Sequence, residues 1–224
     1  MKQLPLGLGP DEPPGFENFF RGPNAAAVEH VRTLAGQARP APVYLWGPGG
    51  CGKTHLLLAL AHEVQAQGGR VGWFDPSAPR DLEFDDTWQA LVLDDCQRYD
   101  PDQQHRAFVL FVQATTQGLP IAAAGDAPPV DLPLRDDLRT RLGWGHVFQL
   151  LPLSEADCRA VLRREADRRG IFLSDEVMSY LLTRFSRDLG SLMRLLDRLD
   201  RFALATHRAV TVPLLKQMLV EEGP

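Results

Sequence analysis

The chain has 224 residues, 44% hydrophobic and 24% charged, with 24 Lys and Arg against 29 Asp and Glu for a net charge of −5. That is enough chain to bury a sizeable core, and its acidic balance excludes a dedicated nucleic-acid coat, which needs a positive field to collect phosphates. No apolar run reaches the ~18 residues of a membrane span, and residues 1–6 lack the long apolar stretch of a secretory signal. Three scattered cysteines, Cys51, Cys96 and Cys158, have no metal-ligand spacing and suit a reducing compartment, so a cytoplasmic protein is expected.

Residues 1–23 carry Pro5, Pro10, Pro13, Pro14 and Pro23 with Gly7, Gly9, Gly15 and Gly22, too many breakers for a helix, and read as an extended arm. The arm ends in Phe16-Glu17-Asn18-Phe19-Phe20, aromatic enough to dock on a core. Asn24 reads as an N-cap for a helix to about residue 38. After Pro40 the pattern alternates between strand and helix. Strands are predicted over 43–46, 71–74, 90–93, 120–124 and 147–150, with helices over 55–67 and 103–117. Such alternation implies a parallel sheet with helices on both faces. From Ser154 the strands cease. Ser154 to Asp157 resembles a capping box and opens a helix to about 169, Ser174 starts a second, Ser186-Arg187-Asp188 a third to about 206, and Thr211 a fourth over 213–220. The expected organisation is an arm over 1–23, an α/β domain over 24–152 and a helical lid over 153–224.

The chemistry is concentrated in Gly47-Pro48-Gly49-Gly50-Cys51-Gly52-Lys53-Thr54, which satisfies G-x-x-x-x-G-K-[ST] between a predicted strand and a predicted helix. Its glycines let successive backbone N–H groups point at phosphate oxygens, and the helix that continues through His55 adds its positive dipole end. Lys53 is expected to reach the β- and γ-phosphates and Thr54 to ligate Mg²⁺. Leu91-Val92-Leu93 ends on Asp94 and Asp95 at the carboxyl end of a strand, where open α/β sheets bind ligands. Asp94 is the candidate second metal group and Asp95 the candidate to polarise an attacking water. Cys51 within the loop needs no redox role, because the backbone does the binding.

The P-loop, Asp94-Asp95, the segment Arg139-Thr140-Arg141-Leu142-Gly143-Trp144-Gly145 and the helix start Ser186-Arg187-Asp188-Leu189 occur in an order that resembles the DnaA family of AAA+ replication proteins, and within it the shorter regulatory relatives that inactivate the initiator. The resemblance implies an AAA+ fold with bound ADP or ATP, ADP being favoured. It places Arg141 at the position of the arginine finger that completes a partner's site. On spacing alone Arg141 would read as a surface arginine in an Asp/Arg-rich loop; the flanking motif reverses that. The resemblance further assigns Arg187 to sensor 2, Asp126 to sensor 1, and Phe16 and Phe19 to the wall of the adenine pocket. Ala124-Gly125, just before Asp126, lack the hydroxyls common in DnaA. Gln3-Leu4-Pro5-Leu6-Gly7-Leu8 is similar to the short motif that binds the sliding clamp, with Gln3 at the pocket rim and Leu4, Leu6 and Leu8 as apolar anchors.

The resemblance therefore implies a regulator that reaches DNA through the clamp, stimulates hydrolysis by ATP-bound DnaA and turns over little nucleotide itself, with self-association left open. Two other readings stand beside it. A DNA-handling ATPase, either a helicase loader or a truncated initiator, would need a basic groove; Arg194, Arg198, Arg201 and Arg208 are interleaved with Asp197 and Asp200 and fit a solvated helix face better. An adaptor with a relic P-loop would retain no nucleotide.

Overall fold

The structure is a computed structural model that describes residues 13–185 and 189–222, without the side chain of Glu222. Its contacts divide it into two compact units, Pro13–Pro152 and the segment from Leu153 onward.

The first unit is built on five parallel strands, β1 (Val43–Trp46), β2 (Arg70–Phe74), β3 (Trp88–Leu93), β4 (Ile121–Gly125) and β5 (His146–Gln149), in the order β2-β3-β4-β1-β5. The central strands are apolar on both sides because both faces are covered. Val43, Leu45, Ala90, Val92, Ala122 and Ala124 point to one core, shared with α1 (Ala25–Leu34) and α2 (Lys53–Ala66). Their neighbours Tyr44, Leu91, Leu93, Ile121 and Ala123 point to the other, shared with α3 (Pro101–Gln117) and α4 (Asp136–Leu142). This period-two division is the pleat expressed as packing.

Several element boundaries depart from expectation by two residues or more, among them those of α3 and α1. Helix α3 starts two residues before the predicted 103, because Pro101 occupies its first turn and Asp100 caps it, accepting from the Asp102 and Gln103 N–H groups at 3.0 and 2.9 Å. Helix α1 stops at Leu34 rather than 38, and Asn24, although at its N-cap position, makes no side-chain cap.

The Asn24 amide is instead 3% exposed and spans the unit. Its Nδ2–H₂ donates to the Leu151 carbonyl at 2.9 Å while its Oδ1 accepts from the Leu151 N–H at 2.8 Å. A side chain thus supplies the pairing a further strand would have given, and fixes the exit of β5 to the entry of α1. Asn24→Ala is expected to lower stability by about 1–3 kcal/mol, since both backbone groups lose their partner; urea unfolding measures it. Asn24→Asp should be no better, because a carboxylate would face the Leu151 carbonyl.

The second unit is entirely helical among the described residues: α5 (Glu155–Arg168), α6 (Asp175–Arg184), α7 (Leu189–Thr206) and α8 (Val212–Glu222). Ser154 and Asp157 form the anticipated reciprocal cap, and Ser174 caps α6. Leu162, Met178, Leu181, Leu196, Leu199, Leu214, Leu215 and Met218 fill its core. The acids on α7 are not simply solvated: Asp197 pairs with Arg169, which also holds Glu165 at 2.6 Å. The predicted start of α7 at 186–188 lies outside the described residues.

Candidate functional site

Strands β3, β4 and β1 are neighbours, so the segments that follow them share the carboxyl edge of the sheet. That edge carries the glycine loop after β1, Asp94-Asp95 after β3 and Asp126, exposed, after β4. The loop runs directly into α2, whose first helical residue is Lys53. Gly50 and Gly52 hold positive φ, 75° and 99°, which open the backbone into a concave turn.

Lys53 is 8% exposed and its ammonium folds back over the loop, donating to the Gly47 carbonyl at 2.8 Å and the Pro48 carbonyl at 3.1 Å. Thr54 Oγ1–H donates to Asp94 Oδ2 at 2.8 Å, joining residues 40 positions apart. The other carboxylate oxygen of Asp94 accepts from the Asp95 N–H at 2.9 Å. Asp94 is 5% exposed, and burial raises its pKa above the usual carboxylate range, only partly offset by the Thr54 and Asp95 hydrogen bonds. A hydroxyl and a buried carboxylate in contact are hard oxygen donors that fit Mg²⁺, and a dication there would compensate the buried charge.

The same burial predicts a trade between stability and binding. A raised folded pKa means that the unfolded chain releases this proton more readily, so the burden on folding builds as pH rises from 3.8 to the folded pKa, is full above it and vanishes below 3.8. Asp94→Asn should raise the neutral-pH thermal midpoint by a few degrees in EDTA without nucleotide, and the gain should shrink on acidification. Calorimetry across pH tests this.

Asp95 takes a left-handed backbone conformation, φ 51°, and its carboxylate is engaged within its own turn. Gln97 Nε2 donates to Oδ1 at 3.2 Å and Arg98 to Oδ2 at 3.3 Å. Asp94 and Asp95 line a crevice with Asp75, Pro76, Ser77 and Arg98. Sequence reasoning missed Arg98, although an arginine three residues after an acid is a recognisable pair.

The segment from Pro13 is strapped onto α2. His62 Nδ1–H donates to the Pro14 carbonyl at 2.7 Å and His55 Nε2–H to the Gly15 carbonyl at 3.0 Å. Burial holds the His55 pKa below its ordinary value. Phe16 enters the α1/α2 core at 6% exposure. Phe19 lies edge-on to His55, with ring centroids 5.3 Å apart, and against Gly52, where a Cβ would sit 2.5 Å from the ring. The aromatic stretch therefore borders the loop, and His55 faces the strap.

Two family models match the chain. One, for the bacterial DnaA ATPase domain, covers residues 11–72, and the other, for the Hda lid domain, covers residues 155–219. The chain belongs to the Hda/DnaA family of AAA+ proteins. Solved structures agree on the fold. Domain III of the replication initiation protein DnaA from Thermotoga maritima is 22% identical, with a TM-score of 0.76 over 94% of this chain and 97% of that one. AMPPCP-bound DnaA from Aquifex aeolicus is 23% identical, TM-score 0.66, over 82% of this chain and 64% of that one. The RuvB Holliday junction branch migration motor of Thermotoga maritima is 17% identical, TM-score 0.64, over 95% and 74%. The expected parallel-sheet AAA+ fold with a helical lid is thus the fold observed.

Within this family member, Arg141 stands on a helix rather than in the anticipated loop. Helix α4 has Asp136 and Asp137 in its first turn and Arg139 and Arg141 in its last, charges that complement its dipole. Leu138 and Leu142 anchor it in the core opposite α2. Arg135 pairs with Asp137 at 2.8 Å and Arg139 with Asp136 at 2.6 Å. Arg141 makes no ion pair among the described residues. Gln3, Leu4, Leu6, Leu8 and Arg187 lie outside the described residues.

Proposed function

We propose that this chain is a nucleotide-bound negative regulator of replication initiation, docked on the DNA-loaded sliding clamp, that stimulates ATP hydrolysis by the DnaA initiator. The match of residues 155–219 to the Hda lid model carries the reading, because it distinguishes this chain from the initiator whose ATPase domain it shares.

The local chemistry supports it. The loop's N–H groups and Lys53 take the phosphates of an adenine nucleotide, ADP in the resting state, with Phe16 and Phe19 on the base side and Arg187 and Asp126 as sensors. Thr54 and Asp94 hold Mg²⁺, which shields phosphate charge when bound. Own-site turnover is slow in this reading, since both carboxylate oxygens of Asp95 are engaged within its own turn, by Gln97 at 3.2 Å and Arg98 at 3.3 Å, which leaves the group less free to orient a water. Arg141, without an ion pair among the described residues and on the layer opposite α2, serves a second molecule's ATP. There a guanidinium forks two hydrogen bonds to the transferring phosphoryl group.

Phosphate release from ATP-loaded initiator, with clamp on DNA and this chain added, tests the proposal. Acceleration that requires both clamp and chain is the expected result; none would refute it. Gln3→Ala should weaken clamp binding at least tenfold, by loss of a rim hydrogen bond in a small interface, and leave nucleotide affinity unchanged, as read by surface plasmon resonance and calorimetry. Tight, salt-sensitive DNA retention without clamp would instead favour a DNA-handling ATPase.

A further inference from the structure

Resting on the reading of Arg141 as a residue donated to another molecule's ATP, we infer that Trp144 is its positioning residue, an aromatic platform that restrains the guanidinium without using any of its hydrogen-bond donors. The Arg141 Cζ lies 4.3 Å from the centroid of the Trp144 ring. The indole is 59% exposed, unusual for so large an apolar group, and belongs to none of the three cores.

Its placement is built by the residues around it. Leu142, 2% exposed, fixes the end of α4 inside the protein. Gly143 follows as the helix cap, and the Trp144 N–H donates to the Arg141 carbonyl at 3.1 Å, closing a turn that sets the two side chains together. Gly145 then presses against Pro42, where a Cβ would meet the Pro42 carbonyl at 1.9 Å, and the His146 N–H donates to that same oxygen at 2.8 Å. The chain is anchored on both sides of Trp144, by Leu142 in the core before it and by Gly145 and His146 against Pro42 after it, so the indole is left outside as a platform. Leu142, Trp144 and Gly145 thereby each acquire a mechanical reason for their place beside Arg141.

The chemistry explains why an aromatic platform suits this arginine and an acid would not. Arg135 and Arg139 are also restrained, but by Asp137 and Asp136, whose oxygens occupy their N–H groups. A guanidinium lying over an indole is attracted through its positive charge and planar face. Its five N–H donors point outward in the plane, free for phosphate oxygens. The ring also limits the rotamers that an unpaired arginine would otherwise sample before engaging a partner.

The test uses the full chain in the phosphate-release assay, with Trp144→Phe, Trp144→Leu and Arg141→Ala side by side. Phenylalanine keeps a π face; leucine keeps apolar bulk without one. Trp144→Leu should lower the maximal stimulated rate about tenfold with the half-saturating concentration of chain changed less than about threefold, while Trp144→Phe stays within about threefold of wild type. In the chain alone, the Arg141 side-chain N–H resonances should lie upfield from the indole ring current and return to ordinary positions in Trp144→Leu. Wild-type behaviour of Trp144→Leu beside an inactive Arg141→Ala would overturn the platform and leave the finger standing. Wild-type behaviour of Arg141→Ala would overturn the finger itself. A loss confined to the half-saturating concentration would make Trp144 a docking contact and overturn its positioning role, as would unshifted Arg141 resonances in the wild type.

Discussion

Alanine at Arg141 is expected to slow the phosphate release that this chain evokes from ATP-loaded initiator by about 10³-fold or more, the range for an arginine supplied in trans to a phosphoryl transfer. The effect is large because the charge that develops on the transferring group is met by a preorganised donor in a water-poor site, where one such group contributes several kcal/mol. The fold should not register the change. Arg141 makes no ion pair among the described residues, and α4 keeps Leu138 and Leu142 as anchors, both buried. Thermal midpoint and nucleotide affinity of the chain itself should therefore match the wild type. Arg141→Lys should recover little, since an ammonium has no planar fork. Single-turnover release with the initiator saturated by chain and clamp separates this from weakened docking. A deficit that vanished at saturation would show that Arg141 contributes contact rather than chemistry.

What could be read in advance follows the range of the interactions involved. The strands were visible because β1, β3 and β4 are buried on both faces and so are continuously apolar, and the glycine loop because its backbone geometry restricts residue choice at fixed offsets. Helix α4 is hidden in the sequence because Pro128, Pro129 and Pro133 precede it and its exposed face is charged, a composition that suggests a loop. Its signal was present in the order of those charges, acids first and arginines last, which a short helix favours. The fate of Asn24 had no local signature. A capping residue and a residue that pairs with backbone 127 positions away are the same letter, and only the closed sheet brings Leu151 within reach. Asp95 illustrates the converse. Its place at a strand end is legible, but the 3.3 Å Arg98 contact that engages its carboxylate depends on a left-handed turn that no acid announces.

Lys53→Ala should reduce affinity for ADP and ATP by about 10²–10⁴-fold, equivalent to losing two charge-assisted hydrogen bonds of about 1.5–3 kcal/mol each. This ammonium is buried, and the Gly47 and Pro48 carbonyls accept from it at 2.8 and 3.1 Å. A lysine buried by the fold has met most of its desolvation cost during folding, so contact with phosphates need not draw a solvated ammonium out of water. Two consequences separate this arrangement from a lysine that merely adds charge. Lys53→Ala should also lower the thermal midpoint of the empty protein, because the two carbonyls lose their donor. The stabilisation that saturating nucleotide confers on the wild type should disappear in the variant, since ligand-linked stability scales with the logarithm of ligand over dissociation constant. Calorimetric titration with ADP and thermal melts with and without it measure both effects. Undiminished affinity in Lys53→Ala would mean that backbone N–H groups alone hold the nucleotide, and the ammonium would then be a structural plug of the loop.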